Sequence, residues 1–267
     1  MRVVGAGVTL EVQAEGDGVP VLLLHGFPDS SRVWRKQIPA LTSAGFRTIA
    51  PDLRGFGQSE APPRVRDYAM QKVLDDLIRV LDHFGVDRVS VVGHDWGAVT
   101  AWAFAGWHPD RLERLVAVSV GHPRSYLRAA LSSGQALRSL YALFFQIPGV
   151  AERSLRARDW ALFRQGFGRS PDWEQYIADF SRPGRLTAGL NWYRANAHPR
   201  ALGRYPTVHV PTLGIIGSKD IALGIAQMKG AGRYVDADWR HEVLDGGHWL
   251  PLSRADEVNR LLLDFLS

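Results

Sequence analysis

The residue that most clearly suggests chemistry is an aspartate between two glycines, in the run Gly93-His94-Asp95-Trp96-Gly97. A short apolar strand is predicted to end at Val92 and a helix to begin near Ala98, so this run forms a strand–turn–helix connection. The flanking glycines permit a sharp turn that holds the central side chain above the edge of a sheet. This is the setting of a nucleophile elbow, with aspartate where serine is usual.

The replacement of serine by aspartate changes the reaction that such an elbow can perform. A carboxyl group with an ordinary pKa of about 3.9 is ionised at neutral pH and needs no base to activate it. Its attack on an ester or amide carbonyl would give an anhydride, whereas its attack on a saturated carbon gives an alkyl ester that water can hydrolyse. Asp95 therefore predicts displacement at an sp³ carbon. The alternative is a structural aspartate in a tight turn.

Two residues near the end of the chain fit the groups that would activate this water. His248 lies in a glycine-bounded segment before the last predicted helix and can act as the general base. Asp220 follows the predicted strand at residues 211–217 and fits the acid that orients the imidazole. Asp245 is a rival acid, but it is so close to His248 in sequence that we favour Asp220. The order nucleophile, acid, histidine is that of α/β hydrolases.

Backbone amides could stabilise the negative charge that forms during ester hydrolysis. The run His25-Gly26-Phe27-Pro28 follows a predicted strand, and the amides of Phe27 and Trp96 are candidates for an oxyanion hole. We expect four residues to line the substrate pocket: His25, Pro28, Trp192 and Trp249. His25 and His94 are tempting catalytic histidines, but we expect both rings to shape loops by hydrogen bonding.

The elements that must position these residues alternate along most of the chain. Strands are predicted at residues 8–14, 20–25, 46–50, 88–92, 115–120 and 211–217, and helices at 34–43, 68–84, 98–107 and 254–266. This alternation predicts an α/β fold with a mostly parallel sheet flanked by helices. Residues 122–205 show helical patterns and no convincing strand. We therefore expect a core at residues 1–121 and 206–267, with residues 122–205 inserted as a helical cap (lid).

Two tyrosines of the predicted cap, Tyr141 and Tyr193, could assist a leaving group. Apolar residues at helical spacing accompany each: Leu137, Leu140 and Phe144 for Tyr141, and Leu186 and Leu190 for Tyr193. A phenol with an ordinary pKa of about 10 is a neutral hydrogen-bond donor at pH 7. Such donors suit the alkoxide that forms when an epoxide opens. A core tyrosine with a satisfied hydroxyl is the alternative for each.

The sequence resembles the α/β-hydrolase epoxide hydrolases, which include the C-terminal domain of the soluble mammalian enzyme. The motifs that carry the likeness are HGFPDSS at 25–31, PDLRGFGQS at 51–59, GHDWGA at 93–98, YALFFQIPGVAE at 141–152, LNWYRAN at 190–196, SKD at 218–220 and GGHW at 246–249. The resemblance implies the α/β-hydrolase fold, a triad of Asp95, Asp220 and His248, and lid tyrosines at Tyr141 and Tyr193. It also implies hydrolysis of a small lipophilic epoxide by water to a vicinal diol, with no metal and no organic cofactor.

Neighbouring activities remain as alternatives. A haloalkane dehalogenase would use the same nucleophile, but Phe27 stands where such enzymes commonly have asparagine, and the cap offers a tyrosine pair. A fluoroacetate-type dehalogenase needs arginines after the nucleophile, and Trp96 and Val99 do not supply them. A non-catalytic binding protein of this fold would be expected to lack Asp95 or His248, and the chain has both.

Composition narrows the remaining classes of function. The chain has 267 residues, 46% of them hydrophobic, and no cysteine, which suits one large domain and excludes thiol catalysis and disulfides. The net charge of +5 comes from arginines spread along the chain, so we expect no nucleic-acid partner. No apolar run approaches the roughly 18 residues that span a bilayer. We therefore expect no membrane partner, a cytoplasmic location, and a monomer or homodimer.

Overall fold

A computed structural model describes residues 1–167, 170 and 172–267 and shows one eight-stranded sheet flanked by helices. The strands are β1 Arg2–Val4, β2 Thr9–Glu15, β3 Val19–Leu24, β4 Phe46–Pro51, β5 Val89–His94, β6 Leu112–Val118, β7 Thr212–Gly217 and β8 Trp239–Leu244. Their order across the sheet is β1-β2-β4-β3-β5-β6-β7-β8. β2 is antiparallel to β1 and β4, and the pairs from β4 to β8 are parallel. The predicted α/β-hydrolase fold is confirmed.

Helices connect the strands and fill the long stretch between β6 and β7. They are α1 Gln37–Ser43, α2 Met70–His83, α3 Trp96–Trp107, α4 Pro123–Ser132, α5 Gln135–Arg138, α6 Leu140–Phe144, α7 Val150–Phe167, α8 Trp173–Ser181, α9 Arg185–Asn196, α10 Pro199–Leu202, α11 Ile225–Lys229, α12 Leu250–Ser253 and α13 Ala255–Leu266. α7 is interrupted at residues 157–160, where three successive residues have positive φ. The proposed cap corresponds to α4–α10, and its division from the core stays a prediction. Residues 168, 169 and 171 of that range lie outside the described residues.

The centre of the sheet is buried on both faces, which places the chemistry at its carboxyl edge. Every residue of β5 and β7 is buried, as continuous apolar runs in a parallel sheet predict. α3 follows β5 directly and is buried from Trp96 to Ala105, because its alanines and glycines let it pack closely on the sheet. In parallel α/β sheets this carboxyl edge is where ligands bind.

Most predicted elements are present with bounds that differ by a few residues, and the differences at β6 and β8 have identifiable causes. The predicted strand at residues 115–120 begins earlier, at Leu112, and ends at Val118, because Ser119 has a φ of 71° and turns the chain. β8 was not predicted from the sequence. It forms the edge of the sheet and is mostly exposed or half-buried, so it lacks the apolar run that marks an inner strand.

Candidate active site

Asp95 occupies the connection between β5 and α3 in a backbone conformation that side-chain-bearing residues rarely adopt. Its φ of 53° and ψ of −121° hold the carboxylate at the carboxyl edge of the sheet. A Cβ on Gly93 would collide with the carbonyl oxygen of Gly97, and a Cβ on Gly97 would collide with that of Leu24. Close backbone approach therefore requires both glycines of the elbow.

His248 lies between Asp95 and Asp220. Its Nδ1 is 2.8 Å from Asp220 Oδ2, and its Nε2 is 3.6 Å from Asp95 Oδ2. The other oxygen of Asp220 accepts hydrogen bonds from the amides of Ala222 at 2.9 Å and Leu223 at 3.0 Å. The acid is thus fixed by its own loop, and it turns Nε2 of the imidazole toward Asp95.

The imidazole of His248 and the carboxylates of Asp95 and Asp220 stabilise one another's charged forms. Burial disfavours the charged form of His248, but the carboxylates of Asp220 and Asp95 outweigh burial and raise the pKa of His248 to about 10. Burial also acts to raise the pKa of Asp220, and the attraction of His248 overcomes it, so the pKa of Asp220 is lowered. At neutral pH the site therefore holds a protonated imidazole. The rival acid Asp245 lies on the surface, 2.7 Å from Lys219 Nζ.

Backbone donors converge on the other side of Asp95. The amide of Phe27 donates to Asp95 Oδ1 at 2.8 Å. A Cβ on Gly26 would overlap both this carboxylate and the amide nitrogen of Trp96, so only glycine lets the two segments meet. The segments that carry the amides of Phe27 and Trp96 thus meet beside Asp95, and the role of these amides as an oxyanion hole stays a prediction.

Two phenols complete the surroundings of Asp95. Tyr141 from α6 and Tyr193 from α9 have ring centroids 5.9 Å apart, in an edge-to-face arrangement. The ring of Trp96 also packs edge-to-face against Tyr193, with centroids 5.1 Å apart. Burial, together with the nearby charge of Asp95, holds the pKa of both phenols well above the ordinary value. Both hydroxyls therefore remain protonated donors at neutral pH.

Two mainly apolar cavities meet at Asp95, Tyr141 and Tyr193. The larger has a volume of about 240 Å³ and the smaller about 60 Å³. The larger cavity is also lined by Phe27, Arg138, Phe144, Leu162, His248 and Trp249. The smaller is also lined by Trp96, Val99, Val120, Tyr126 and Leu202. The carboxylate and the phenols thus lie at the junction of two compartments of unequal size.

Comparisons with known proteins identify the family of the chain. The chain matches the alpha/beta hydrolase fold family over residues 19–255. It is 35% identical to epoxide hydrolase A of Mycobacterium tuberculosis over 98% of this chain and 95% of that protein. The chain belongs to the α/β-hydrolase-fold epoxide hydrolases. It is also 35% identical to the AB hydrolase superfamily protein YfhM of Bacillus subtilis, over 97% of this chain and 95% of that protein. The crystal structure of epoxide hydrolase A from Mycobacterium thermoresistibile has a TM-score of 0.84 at 34% identity, over 100% of this chain and 97% of that one.

In this epoxide hydrolase, Tyr193 is anchored through its neighbours on α9. The indole of Trp192 donates to the carbonyl oxygen of Arg54 at 3.0 Å, and Asn196 accepts from the amide of Met70 at 2.9 Å. Both side chains are buried, so these bonds attach α9 to the core on either side of Tyr193. The predicted apolar face of α9 is present, since Leu186 and Leu190 are fully buried.

The predicted apolar face around Tyr141 is wrong in part. Leu137 and Leu140 are 73% and 55% exposed, and the ring of Tyr141 packs on Phe145 with centroids 5.5 Å apart. The cause is a break between α5 and α6 at Ser139, because helical spacing does not continue across it. Phe144, the third predicted neighbour, does line the larger cavity.

Of the four residues predicted to line the substrate pocket, the structure brings Trp249 to the larger cavity and places the other three elsewhere. His25 is fully buried, with Nδ1 3.0 Å from the carbonyl oxygen of Gly26 and Nε2 accepting from the amide of Leu53 at 2.9 Å. Trp192 is turned to the core by its bond to Arg54, and Pro28 is buried outside the two cavities. These three side chains support the site's loops.

His94 has a supporting position as well. Its Nε2 lies 3.0 Å from the carbonyl oxygen of His248, and Ser119 Oγ donates to the same oxygen at 3.1 Å. Burial lowers the pKa of His94 to about 4, so the ring is neutral beside the charged imidazole of His248. The ring of His94 positions the backbone of His248, and His94 directly precedes Asp95 in the sequence.

Sequence reasoning missed a contact between the cap and the loop that carries Asp220. The buried side chain of Gln135 donates to the carbonyl oxygen of Ala222 at 2.7 Å and accepts from the amide of Gly224 at 2.7 Å. Arg138 donates to the carbonyl oxygen of Asp220 at 2.7 Å. α5 is therefore bonded to the loop that carries Asp220. No sequence pattern marks a single glutamine for such a role.

A second missed residue, Asp29, joins the cap to the segment after His248. Its carboxylate accepts from the hydroxyl of Tyr176 at 2.7 Å and from the indole of Trp249 at 3.0 Å. Burial raises the pKa of Asp29 to about 7. Its place directly after the His25–Pro28 run was the one available signal.

Among the described residues, no helix is long and apolar enough to cross a membrane.

Proposed function

We propose that this epoxide hydrolase opens a lipophilic epoxide to a vicinal diol through a covalent ester on Asp95. The observation that carries the proposal is the position of Asp95 between the imidazole of His248 and the phenols of Tyr141 and Tyr193. A carboxylate nucleophile, a base and neutral donors are the groups that the two-step opening of an epoxide needs.

In the first step, the epoxide oxygen accepts hydrogen bonds from the two phenols. A carboxylate oxygen of Asp95 attacks one ring carbon from the side opposite the C–O bond, which breaks and inverts that carbon. The electron pair stays on the former epoxide oxygen, which takes up a proton. In the free enzyme, the charge of Asp95 helps to raise the pKa of His248, and esterification removes this charge. The pKa of His248 therefore falls, and the proton it releases balances the one that the alkoxide gains.

In the second step, the neutral imidazole removes a proton from water, and the hydroxide attacks the carbonyl carbon of the ester. Asp220 stabilises the imidazolium that forms. The amides of Phe27 and Trp96 donate to the oxyanion of the tetrahedral intermediate. Collapse of the intermediate breaks the ester bond, and the diol oxygen takes the proton from His248. The second proton of the water then passes from the carboxyl group of Asp95 to His248, which restores the carboxylate and the protonated imidazole.

Removal of the base separates the two steps and tests the assignment. In the variant His248→Gln the ester should form and persist, because no group remains to activate water. Intact-protein mass spectrometry after incubation with styrene oxide should show an increase equal to one whole epoxide, and peptide mapping should place it on Asp95. The matched control is Asp95→Asn in the same background, which should remain unmodified.

Other outcomes of this experiment would identify other functions. If 1-bromohexane gives an alkyl adduct without bromine and styrene oxide gives none, the enzyme is a haloalkane dehalogenase and the tyrosines only line the pocket. If folded protein gives no adduct with either probe, the assignment of Asp95 as nucleophile is wrong.

A further inference from the structure

The outer surface of the proposed cap carries an unusual concentration of exposed apolar side chains. Of the fourteen large apolar side chains that are exposed among the described residues, seven lie within residues 131–162. Exposure reaches 91% at Leu131, 73% at Leu137 and 65% at Leu143. We call the outward side chains of Leu131, Leu137, Leu140, Leu143 and Ile147 the outer cap face. Clustered exposed apolar side chains of this kind mark an interaction site more often than isolated ones do.

Exposed basic residues lie on α4, which carries Leu131, and on the segments that pack against α4; we call them the border of the outer cap face. Arg124 and Arg128 are exposed on α4 and precede Leu131 at helical spacing, so these three side chains share one side of the helix. Arg233 lines a surface cleft of about 220 Å³ together with Arg128. Lys229 is exposed on α11, which packs against α4.

The charge of this border is not neutralised by the protein. The sequence contains no acidic residue between Glu113 and Glu152. Within the part of the chain that the structure describes, the four border cations have no carboxylate within ion-pair distance. Arg124 lies over the ring of Tyr234, with Cζ 4.6 Å from the ring centroid. The outer cap face and its border therefore present leucines beside positive charge that no carboxylate pairs.

Exposed leucines together with basic residues favour some partners of an apolar surface over others. A two-fold contact between copies of the chain would bring two positively charged borders into one interface, and residues 114–151 contain no acidic side chain that could pair with them. An anionic bilayer offers an apolar layer for leucine side chains and a negative surface for arginine and lysine. We propose that the outer cap face docks peripherally on anionic phospholipid membranes.

Peripheral docking revises the expectation of no membrane partner, which rested on the lack of a spanning segment. The mouth of the larger cavity adjoins the same surface: Arg138, next to Leu137, lines that cavity, and so do Leu162 and Ile221, which are 45% and 53% exposed. Docking would thus bring the cavity mouth close to dissolved lipophilic epoxides. This last consequence rests on the proposed function, whereas the docking itself does not.

Vesicle flotation without any substrate tests the docking separately from catalysis. The wild-type protein should float with vesicles of equimolar phosphatidylcholine and phosphatidylglycerol, and much less with phosphatidylcholine alone. High salt should release it, because salt screens the attraction between exposed charges and the lipid surface. The double variants Leu140→Gln with Leu143→Gln, and Arg124→Gln with Arg128→Gln, should each bind the mixed vesicles roughly tenfold more weakly.

Matched controls change exposed residues of the same types elsewhere. Val4→Gln with Val19→Gln, and Arg79→Gln with Arg260→Gln, should float like the wild type. Hydrolysis of a water-soluble epoxide should be unchanged in all four double variants, which shows that they fold. Equal flotation on neutral and anionic vesicles, or no flotation, would overturn the proposal. So would a dimer in analytical ultracentrifugation that the leucine variant converts to a monomer, because a second copy would then cover this face.

Discussion

At the scale of single residues, Tyr141 and Tyr193 are distinguished by how firmly they keep their protons. Burial and the charge of Asp95 hold the pKa of both phenols well above the ordinary value, so both hydroxyls stay protonated at neutral pH. They differ in support, since α9 is bonded to the core on both sides of Tyr193, whereas Tyr141 lies on the short α6. The position of Tyr193 is therefore fixed by more bonds to the core than that of Tyr141.

Removal of the phenolic hydroxyls tests this assignment directly. Tyr141→Phe and Tyr193→Phe should each slow ester formation by roughly 10²- to 10³-fold, the effect of one lost donor to a developing oxyanion. Ester hydrolysis should change little, because the oxyanion of that step faces Phe27 and Trp96. Rapid-quench measurement of the two steps distinguishes them, with Tyr126→Phe as a control from the smaller cavity. Full epoxide activity in the double Tyr141→Phe, Tyr193→Phe variant would show that another group stabilises the leaving oxygen.

His248 links the stability of the fold to pH. Its pKa of about 10 in the folded protein exceeds the ordinary value of 6.5. Protonation therefore stabilises the folded state, fully below pH 6.5, and this stabilisation is lost as pH rises through about 10. The free energy of unfolding of the wild type minus that of His248→Gln should decline across this interval. Urea denaturation at a series of pH values measures it, and a constant difference would mean that the folded imidazole is neutral.

At the scale of elements, the sequence predicted the strands and turns whose residue types fit only one structural setting. The buried runs of β5 and β7 could be recognised because both faces of an inner strand are covered. The elbow at Asp95 could be recognised because two glycines permit the turn. The sequence could not predict β8 or the exposure of the leucines on α5 and α6. Whether these residues are buried depends on which other elements pack against them. The convergence of Asp95, Asp220 and His248 followed from strand order, but the distances between them depend on loops.

Contact between α5 and the loop of Asp220 yields a prediction at this scale. Gln135→Leu keeps a side chain of similar size but leaves the carbonyl oxygen of Ala222 and the amide of Gly224 without their partner. We expect a loss of about 1–3 kcal/mol in the free energy of unfolding for these buried groups. The pH at which ester hydrolysis is half-maximal should also shift, because Asp220 sets the pKa of His248.

The matched control for this experiment is Gln175→Leu, a substitution at an exposed position of α8. It should leave both the free energy of unfolding and the pH profile unchanged. If Gln135→Leu lowers stability without moving the pH profile, α5 supports the cap but does not position the triad acid.

At the scale of the whole molecule, the reacting groups lie between compartments of about 240 and 60 Å³. An epoxide with one aryl substituent can place it in the larger compartment, whereas a second aryl group would not fit the smaller. We expect kcat/KM for trans-stilbene oxide to be at least roughly tenfold below that for styrene oxide. Leu202→Ala should narrow this gap, because Leu202 lines the smaller cavity.

The control for that substitution is Leu155→Ala, which enlarges the larger cavity and should leave the preference against two aryl groups in place. Equal kcat/KM values for the two epoxides with the wild-type enzyme would mean that substrates do not divide their substituents between the two compartments.

The bonds from Gln135 and Arg138 to the loop of Asp220 have a consequence for timing. Outward movement of α5 would break these bonds. The loop of Asp220 would then lose its external support, and the imidazole of His248 would be fully oriented only while α5 is in place. Activation of water would thus be coupled to a closed cap.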